Sequence, residues 1–513
     1  MKALIVPLAV VLGSLSAWHA SADEAPQQVG LASMSDQQLQ SSAVDLLRKG
    51  GDESCALAPI LAEMGRLNPE RMPQARYVQA MCADAEQRYT DARRLLSQAE
   101  NAASSPLFDS LGLHLAVETK DGVEILRRLR LLAKSGVIAQ APLDAIGPAT
   151  GRLISLGLEA ESDEFDYELS RSPSFGRMLP DVQQYLASAA IRHAARVRQV
   201  GEVDRLLGYI HSPSLVIFML SFRDYEPAWP NLERFAGDHL AKITDSYVSW
   251  AARGLSEKPT ESDRLRQYTQ ALLLADRDDE AISTLQNWLD RPERRGALQE
   301  GEAWALDLEV EAFDARGETS KADAIYERLA ALPLETHPWV VNFLINRQGR
   351  LVRQGRWSEG LAASEIARTA AQRYGTDYAR AEITADRACA FFKLGRKEES
   401  RQELAFLTAH PLDSPEGLAR ALLCAGRDDE AAVLILPMIR DPKTRDALLM
   451  DLQDERFSPG PRAKAELPAV RELILKRPEL RAEALKYVRL LPENLVPVGS
   501  QRREQGAGKT GDG

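Results

Sequence analysis

The sequence predicts an all-α fold, a superhelical array of antiparallel helix-turn-helix hairpins. Three observations lead there. Strong helix formers (Ala, Leu, Arg and Glu) dominate the 513 residues, while aromatics make up only 6% and β-branched runs are scarce. An eleven-residue phrase, "ALLLADRDDEA" at 271–281, returns as "ALLCAGRDDEA" at 421–431, changed only at Leu274/Cys424 and Asp276/Gly426. Other segments share its plan of apolar helix, short charged turn and second helix stopping near a proline. A chain this long exceeds one compact core. Hairpins that cannot bury an apolar face alone bury it by stacking.

Taken in order, the N-terminus reads "MKALIVPLAVVLGSLSAWHASADEAPQ". Lys2, an apolar run to Ala17 and the small residues Ala20-Ser21-Ala22 predict a signal peptide over 1–22, cleaved after Ala22. The competing reading is a buried N-terminal helix. The implied address is periplasmic or secreted. No cysteine at the cleavage site calls for a lipid anchor, and no later apolar stretch approaches the roughly 18 residues of a transmembrane segment. Residues 23–40 read as a flexible lead.

Residues 41–105 hold the first hairpins, with a turn at Gly50–Gly51. Over 106–258 the pattern diverges, yet helical signs persist. Asp121 caps a helix with Glu124 three places on, Gly136 stops it, Gly201 marks a worn turn, and Pro227 and Pro230 bracket Trp229 as a helix start. The repeats are clearest over 259–445, with turns at Gly317, Gly355 and Gly395 and stops at Pro292, Pro333, Pro411 and Pro442. Residues 446–498 read as C-terminal capping helices and 499–513 as a disordered tail.

Each second helix carries a small residue near its start: Ala92, Ala281, Ala322, Gly360, Ser400 and Ala431. Apolar residues follow four and seven places on, as in Leu285 with Trp288, Tyr326 with Leu329, and Ile435 with Met438, which aligns one stripe on the inner face. Small residues also stand late in first helices (Ala80, Ala388, Ala419), and aromatics follow turns (Tyr89, Trp357). These residues resemble the tetratricopeptide repeat over 70–100 and 262–442. Second-helix markers at 281, 322, 360, 400 and 431 step by 41, 38, 40 and 31, against a family period of about 34. The repeats are therefore degenerate. The resemblance implies a right-handed superhelix whose first helices line a concave binding face.

Cys55, Cys82, Cys389 and Cys424 suit an oxidising address and allow three pairings. Sequence neighbours favour Cys55–Cys82 and Cys389–Cys424. Cys55 opens the second helix of one hairpin and Cys82 lies late in the first helix of the next, so antiparallel packing brings them to one end. Four buried free thiols remain the alternative.

The net charge of −11 argues against nucleic acid, which needs a basic footprint. Gly508-Lys509-Thr510 lacks the upstream glycine, strand and helix of a P-loop. The acidic run "EAESDEFDYE" at 159–168 lacks the spacing of a calcium loop and reads as solvated. The histidines show no metal or catalytic spacing, so no cofactor and no metal are expected. One candidate site remains. Asn346, Arg350 and Arg353 share a helix face, and Lys393 on the next unit extends a concave basic patch suited to a carboxylate. The alternative for it is a solvated helix face. The helix with Arg127, Arg128, Arg130 and Lys134 offers a second basic face, toward anionic lipid or plain solvent.

The function these readings favour is a non-catalytic periplasmic scaffold that binds a protein or peptide, in envelope assembly or export. The other class is an α-helical toroid enzyme acting on polysaccharide or peptidoglycan, which calls for exposed tryptophans converging beside a carboxylate pair.

Overall fold

The computed structural model describes residues 31–49, 53–140, 143–291, 298–453 and 467–496. The signal peptide, the start of the lead, the Gly50–Gly51 turn, Pro292 and the 499–513 tail lie outside the described residues. Within them the chain forms 26 α-helices and short 3-10 turns. Their sole extended pairing is an isolated bridge between Phe222 and Val488. The chain divides into two compact units, Met1–His193 and Ala194–Gly513, with the boundary inside the stretch where the repeat blurs.

The lead is shorter than expected. A helix spans Asp36–Lys49 because Ser35 and Gln38 close a reciprocal cap. The Ser35 N–H donates to Gln38 Oε1 at 2.8 Å and the Gln38 N–H to Ser35 Oγ at 3.4 Å.

In the first unit, hairpins pair Met72–Ala85 with Tyr89–Glu100, Pro106–Glu118 with Gly122–Ser135, and Leu143–Ser155 with Glu159–Ser170. In the second they pair Ser262–Leu274 with Asp278–Leu289, Glu300–Ala315 with Thr319–Ala330, Val340–Arg353 with Trp357–Tyr374, Asp377–Lys393 with Lys397–Ala409, and Pro415–Cys424 with Asp428–Arg440. First helices also touch first helices of the next hairpin. Examples are Pro106–Glu118 on Leu143–Ser155, Val340–Arg353 on Asp377–Lys393, and Asp377–Lys393 on Pro415–Cys424.

One backbone turn builds all eight hairpins. A residue at positive φ ends each first helix: Gln87, Lys120, Gly157, Asp276, Gly317, Gly355, Gly395 and Gly426. The next N–H reaches back to a carbonyl five places earlier, as in Arg88 to Ala83, Asp121 to Ala116, Arg277 to Leu272 and Arg396 to Phe391, at 2.7–2.9 Å. The positive-φ residue itself donates three places back, as Gly395 does to Phe392. This pair of bonds satisfies two of the carbonyls a helix end leaves open. Arg198 forms the same turn after the Pro180–Arg196 helix, with Gln199 donating to Ala194.

Five residues after the turn residue comes the point of closest helix approach, and there the small residues are buried: Ala92, Ala281, Ala322, Gly360, Ser400 and Ala431. A Cβ on Gly360 would lie 2.6 Å from a methyl of Val352 on the facing helix. The matching positions elsewhere hold Ile125, Ser162 and Val203, also buried.

The acidic run at 159–168 is not a solvated loop. It begins the Glu159–Ser170 helix and buries Asp163 and Asp166. Arg192 holds Asp163 bidentately at 2.8 and 2.9 Å. Negative charge at a helix N-terminus is favourable, and a paired carboxylate can be buried. Both expected cysteine pairs form, Cys55–Cys82 with Cα atoms 5.5 Å apart and Cys389–Cys424 at 5.3 Å.

Candidate functional site

Three first helices of the second unit place polar side chains in register: Val340–Arg353, Asp377–Lys393 and Pro415–Cys424. On the Val340–Arg353 helix, Asn346, Arg350 and Arg353 recur at four and three places and so share one face. That face meets the preceding hairpin, and its acids meet them first.

Asn346 donates to both oxygens of Asp307 at 3.2 and 3.3 Å, and Tyr326 donates its hydroxyl to Asp307 Oδ1 at 2.7 Å. Arg350 is 4% exposed. It binds Asp314 through Nε at 2.5 Å and Nη2 at 2.6 Å, and Asp323 through Nη1 at 2.6 Å. Arg356 shares Asp323 at 2.9 Å, and Gln354 donates to Asp314 at 3.1 Å. The guanidinium of Arg350 is therefore already engaged by two aspartates. This differs from the sequence expectation that it waits in an open basic patch. The physical reason is desolvation, since a buried guanidinium without carboxylates would be costly. Lys393 is exposed with its Nζ 5.9 Å from the Trp357 ring centre. Its contact is an aromatic face.

A second network continues along the helices. Gln348 donates to Asp386 Oδ2 at 3.0 Å, and Arg420 donates to Asp386 Oδ1 at 3.1 Å and to Glu382 Oε2 at 2.9 Å. Ser414 donates its hydroxyl to Glu382. Burial raises the Glu382 carboxyl, but the Arg420 charge and the Ser414 bond outweigh it and hold Glu382 below its ordinary value. Asp323 behaves alike, with burial overcome by Arg350 and Arg356. Glu416 and Asp451 are pushed upward, by burial in both cases and at Glu416 also by its acidic neighbours Asp451 and Glu382. With Asp307, Asp314, Asp323, Glu382 and Asp386 facing Arg350, Arg353, Arg356 and Arg420, carboxylates outnumber guanidinium groups. The surface is mixed and locally acidic rather than basic.

Not every group is satisfied. Gln348 is 0% exposed, yet its Oε1 accepts no hydrogen bond. Gln354 Oε1, Arg353 Nε and Arg420 Nε are closed from solvent and unpartnered as well. Arg353 has no ion-pair partner among the described residues. Its Nη1 and Asp386 Oδ2 both stand 3.2 Å from where a Cβ on Gly349 would be, so glycine there admits both charges. Both orphan acceptors and the Arg353 donor stand on the Val340–Arg353 helix and its end, and the Arg420 donor stands on Pro415–Cys424. Such a set complements amides, which donate and accept in turn.

Sequence reasoning found Asn346, Arg350 and Arg353 but missed Asp307, Asp314, Asp323, Asp386 and Arg420. Their pairings run 36 and 27 places along the chain for Arg350 and 39 for Asn346. Only the register between hairpins reveals them. The six tryptophans past the signal region do not gather on this surface. Trp250, Trp304 and Trp339 pack against one core cluster, Trp288 is buried in another, Trp357 packs beside Val352 and Phe391, and Trp229 lies under Arg489.

The sequence matches no family model and no curated relative.

Proposed function

We propose that the chain is a periplasmic or secreted helical-repeat scaffold of tetratricopeptide-like hairpins, stacked as a superhelix, which binds a protein or peptide segment along its first helices. One observation carries this reading: buried, unsatisfied donors and acceptors stand at Gln348, Arg353 and Gln354 on the Val340–Arg353 helix and its end, and at Arg420 on the Pro415–Cys424 helix, with the Asp377–Lys393 helix packed between the two. Buried polar atoms left unpaired cost about 1–3 kcal/mol each. Turned outward, these long side chains would meet the amides of a bound polypeptide and be satisfied. First helices touching their successors support the stacked array. Two disulfides support the address; among the described residues no helix is long and apolar enough to cross a membrane. The tryptophans' dispersal into separate packing clusters favours this reading over the toroid enzyme.

The test is cross-linking capture in the native envelope followed by mass spectrometry, using the wild-type chain and Arg353→Ala. The proposal expects a reproducible envelope partner whose capture falls about tenfold in the variant, the loss of one charged hydrogen-bonding group. Release of sugar fragments from cell-wall material by the purified protein, or capture indifferent to Arg353, overturns it.

A further inference from the structure

We propose that the first unit carries a phosphate-binding cleft, separate from the polypeptide surface above. The cleft has a volume of about 540 Å³. It lies between the end of the Gly122–Ser135 helix, the end of the Glu159–Ser170 helix, and the 3-10 turn Phe175–Arg177 that follows. Arg130, Lys134 and Arg177 line it, with Glu168 the one acid among its lining residues.

Arg130 and Lys134 stand four apart on one helix face, so both reach the same side. Arg130 Nε is 3.2 Å from Glu168, but both side chains are about half exposed (47% and 50%). Such a pair is weak in water and easily exchanged. Lys134 and Arg177 have no ion-pair partner among the described residues. Elsewhere in the unit Arg66, Arg88, Arg93 and Arg127 each hold a carboxylate. Three cations against one carboxylate give the cleft an excess of two positive charges, in a chain of net charge −11.

Ser172 and Ser174 also line the cleft. Ser172 Oγ is closed from solvent and has no hydrogen-bond partner, and Ser174 is buried. Gly136 ends its helix at φ +77°, and a Cβ there would stand 3.6 Å from Arg177 Nη2 and 4.0 Å from Ser174 Oγ. Those are ordinary contact distances, so Arg177 and Ser174 lie against the helix end, and it is the positive φ that calls for glycine. A lysine in the last helical turn is explained by the helix dipole. Arg177 and the orphan hydroxyl of Ser172 are not. A planar guanidinium, an ammonium and hydroxyls around one cleft are the donor set that a tetrahedral oxyanion accepts from.

The basic face read from the sequence narrows accordingly. Arg127 is bonded to Glu124, and Arg128 is buried among Glu100, Asp109 and Glu124. Only Arg130 and Lys134 remain for a ligand. The shared chemistry is a phosphate group, whether free or on a lipid headgroup.

The experiment uses the full mature chain and two probes, inorganic phosphate in calorimetry and vesicles of phosphatidylglycerol against phosphatidylcholine in flotation. The expected result is one site whose affinity weakens with salt and falls at least tenfold in Lys134→Ala/Arg177→Ala, at unchanged circular dichroism. Phosphate binding without flotation identifies the free anion, and flotation with phosphatidylglycerol alone identifies the headgroup. A measurement on wild-type protein guards against a misfolded variant: the bound probe should shield Lys134 from acetylation while exposed Lys397 reacts as before. Binding of neither probe, equal binding by the double variant, or unshielded Lys134 overturns the proposal.

Discussion

The hairpin turns at Lys120 and at Gly395 follow one backbone path, with φ of +57° and +76° and the same reach-back from the next N–H, Asp121 to Ala116 and Arg396 to Phe391. Their sequences share almost nothing. Among the described turns, four of the five in the second unit carry glycine, whereas in the first unit Gln87 and Lys120 do the work and only Gly157 is glycine. Five places past the turn the contrast repeats, with Ala281, Ala322, Gly360, Ser400 and Ala431 against Ala92, Ile125 and Ser162. The lesson is that the bend is required and the letter is not. A non-glycine at positive φ costs about 1–2 kcal/mol, which a well-packed hairpin tolerates. At the helix approach, a larger side chain is accommodated if the two helices sit farther apart.

Both units also hold one disulfide between neighbouring hairpins, and here the largest effects are expected. Sequence separations of 27 and 35 residues correspond to about 3.5 and about 4 kcal/mol on the chain-entropy model. Denaturant titration of Cys82→Ala and Cys424→Ala should show losses of that order, slightly greater for the second. Intact mass without reductant should be four hydrogens below the reduced value.

The helix-approach position gives the next largest effect, with opposite responses in the two units. Ile125→Ala should open a cavity and cost about 3 kcal/mol. Ala322→Ile should overpack a contact sized for a methyl group and cost about 2 kcal/mol. If both positions tolerate either residue, the closest-approach argument fails.

Buried carboxyls offer a third comparison, read through pH. Burial pushes Glu309 up to about 7, against a small opposing hydrogen bond from Gln286. In the first unit burial, with the Asp163 charge added, raises Asp166 well above its ordinary value; it is 2% exposed and its Oδ1 is unpartnered. A carboxyl whose folded pKa is raised holds its proton more tightly when folded. Its contribution is full below the unfolded value near 4.5 and is lost as pH rises through about 7. Glu309→Gln should therefore flatten stability between those pH values and gain about 2–3 kcal/mol at pH 8, one pKa unit being about 1.4 kcal/mol. Asp166→Asn should act in the same direction. Thermal denaturation across that pH range, with either variant as steeply pH-dependent as the wild type, refutes the assignment.

The contrast between units also explains what was legible in the sequence. Helices and turns could be read from 262 to 442 because glycine and small residues mark them there. Over 106–258 the same turns exist at Lys120, Gly157 and Arg198, but Lys120, Arg198, Ile125 and Val203 carry none of the expected letters. The cap made by Ser35 and Gln38 stands in the sequence as a Ser-x-x-Gln pattern, masked by the polar residues around it. The acidic run at 159–168 looked solvated because its partner Arg192 stands 29 places beyond Asp163. The partners of Arg350 are hidden for the same reason, since it finds Asp314 and Asp323 only after hairpins pack. Local chemistry could be read from the chain, and partners set by register between hairpins could not.

The smallest expected effect tests the opening contrast most directly. Gln87 stands at φ +58° with an exposed side chain, and its N–H donates to the Asp84 carbonyl. Replacing it with glycine removes the steric penalty of the left-handed conformation, offset partly by the greater freedom of the unfolded chain. Gln87→Gly should therefore stabilise by somewhat under about 1 kcal/mol. Gly395→Ala, at φ +76° and with open space around its would-be Cβ, should lose about 1 kcal/mol through backbone strain alone. The two substitutions thus move in opposite directions along one turn geometry, measurable as paired shifts in denaturation midpoint. Equal signs would mean that the turns differ in more than their central residue.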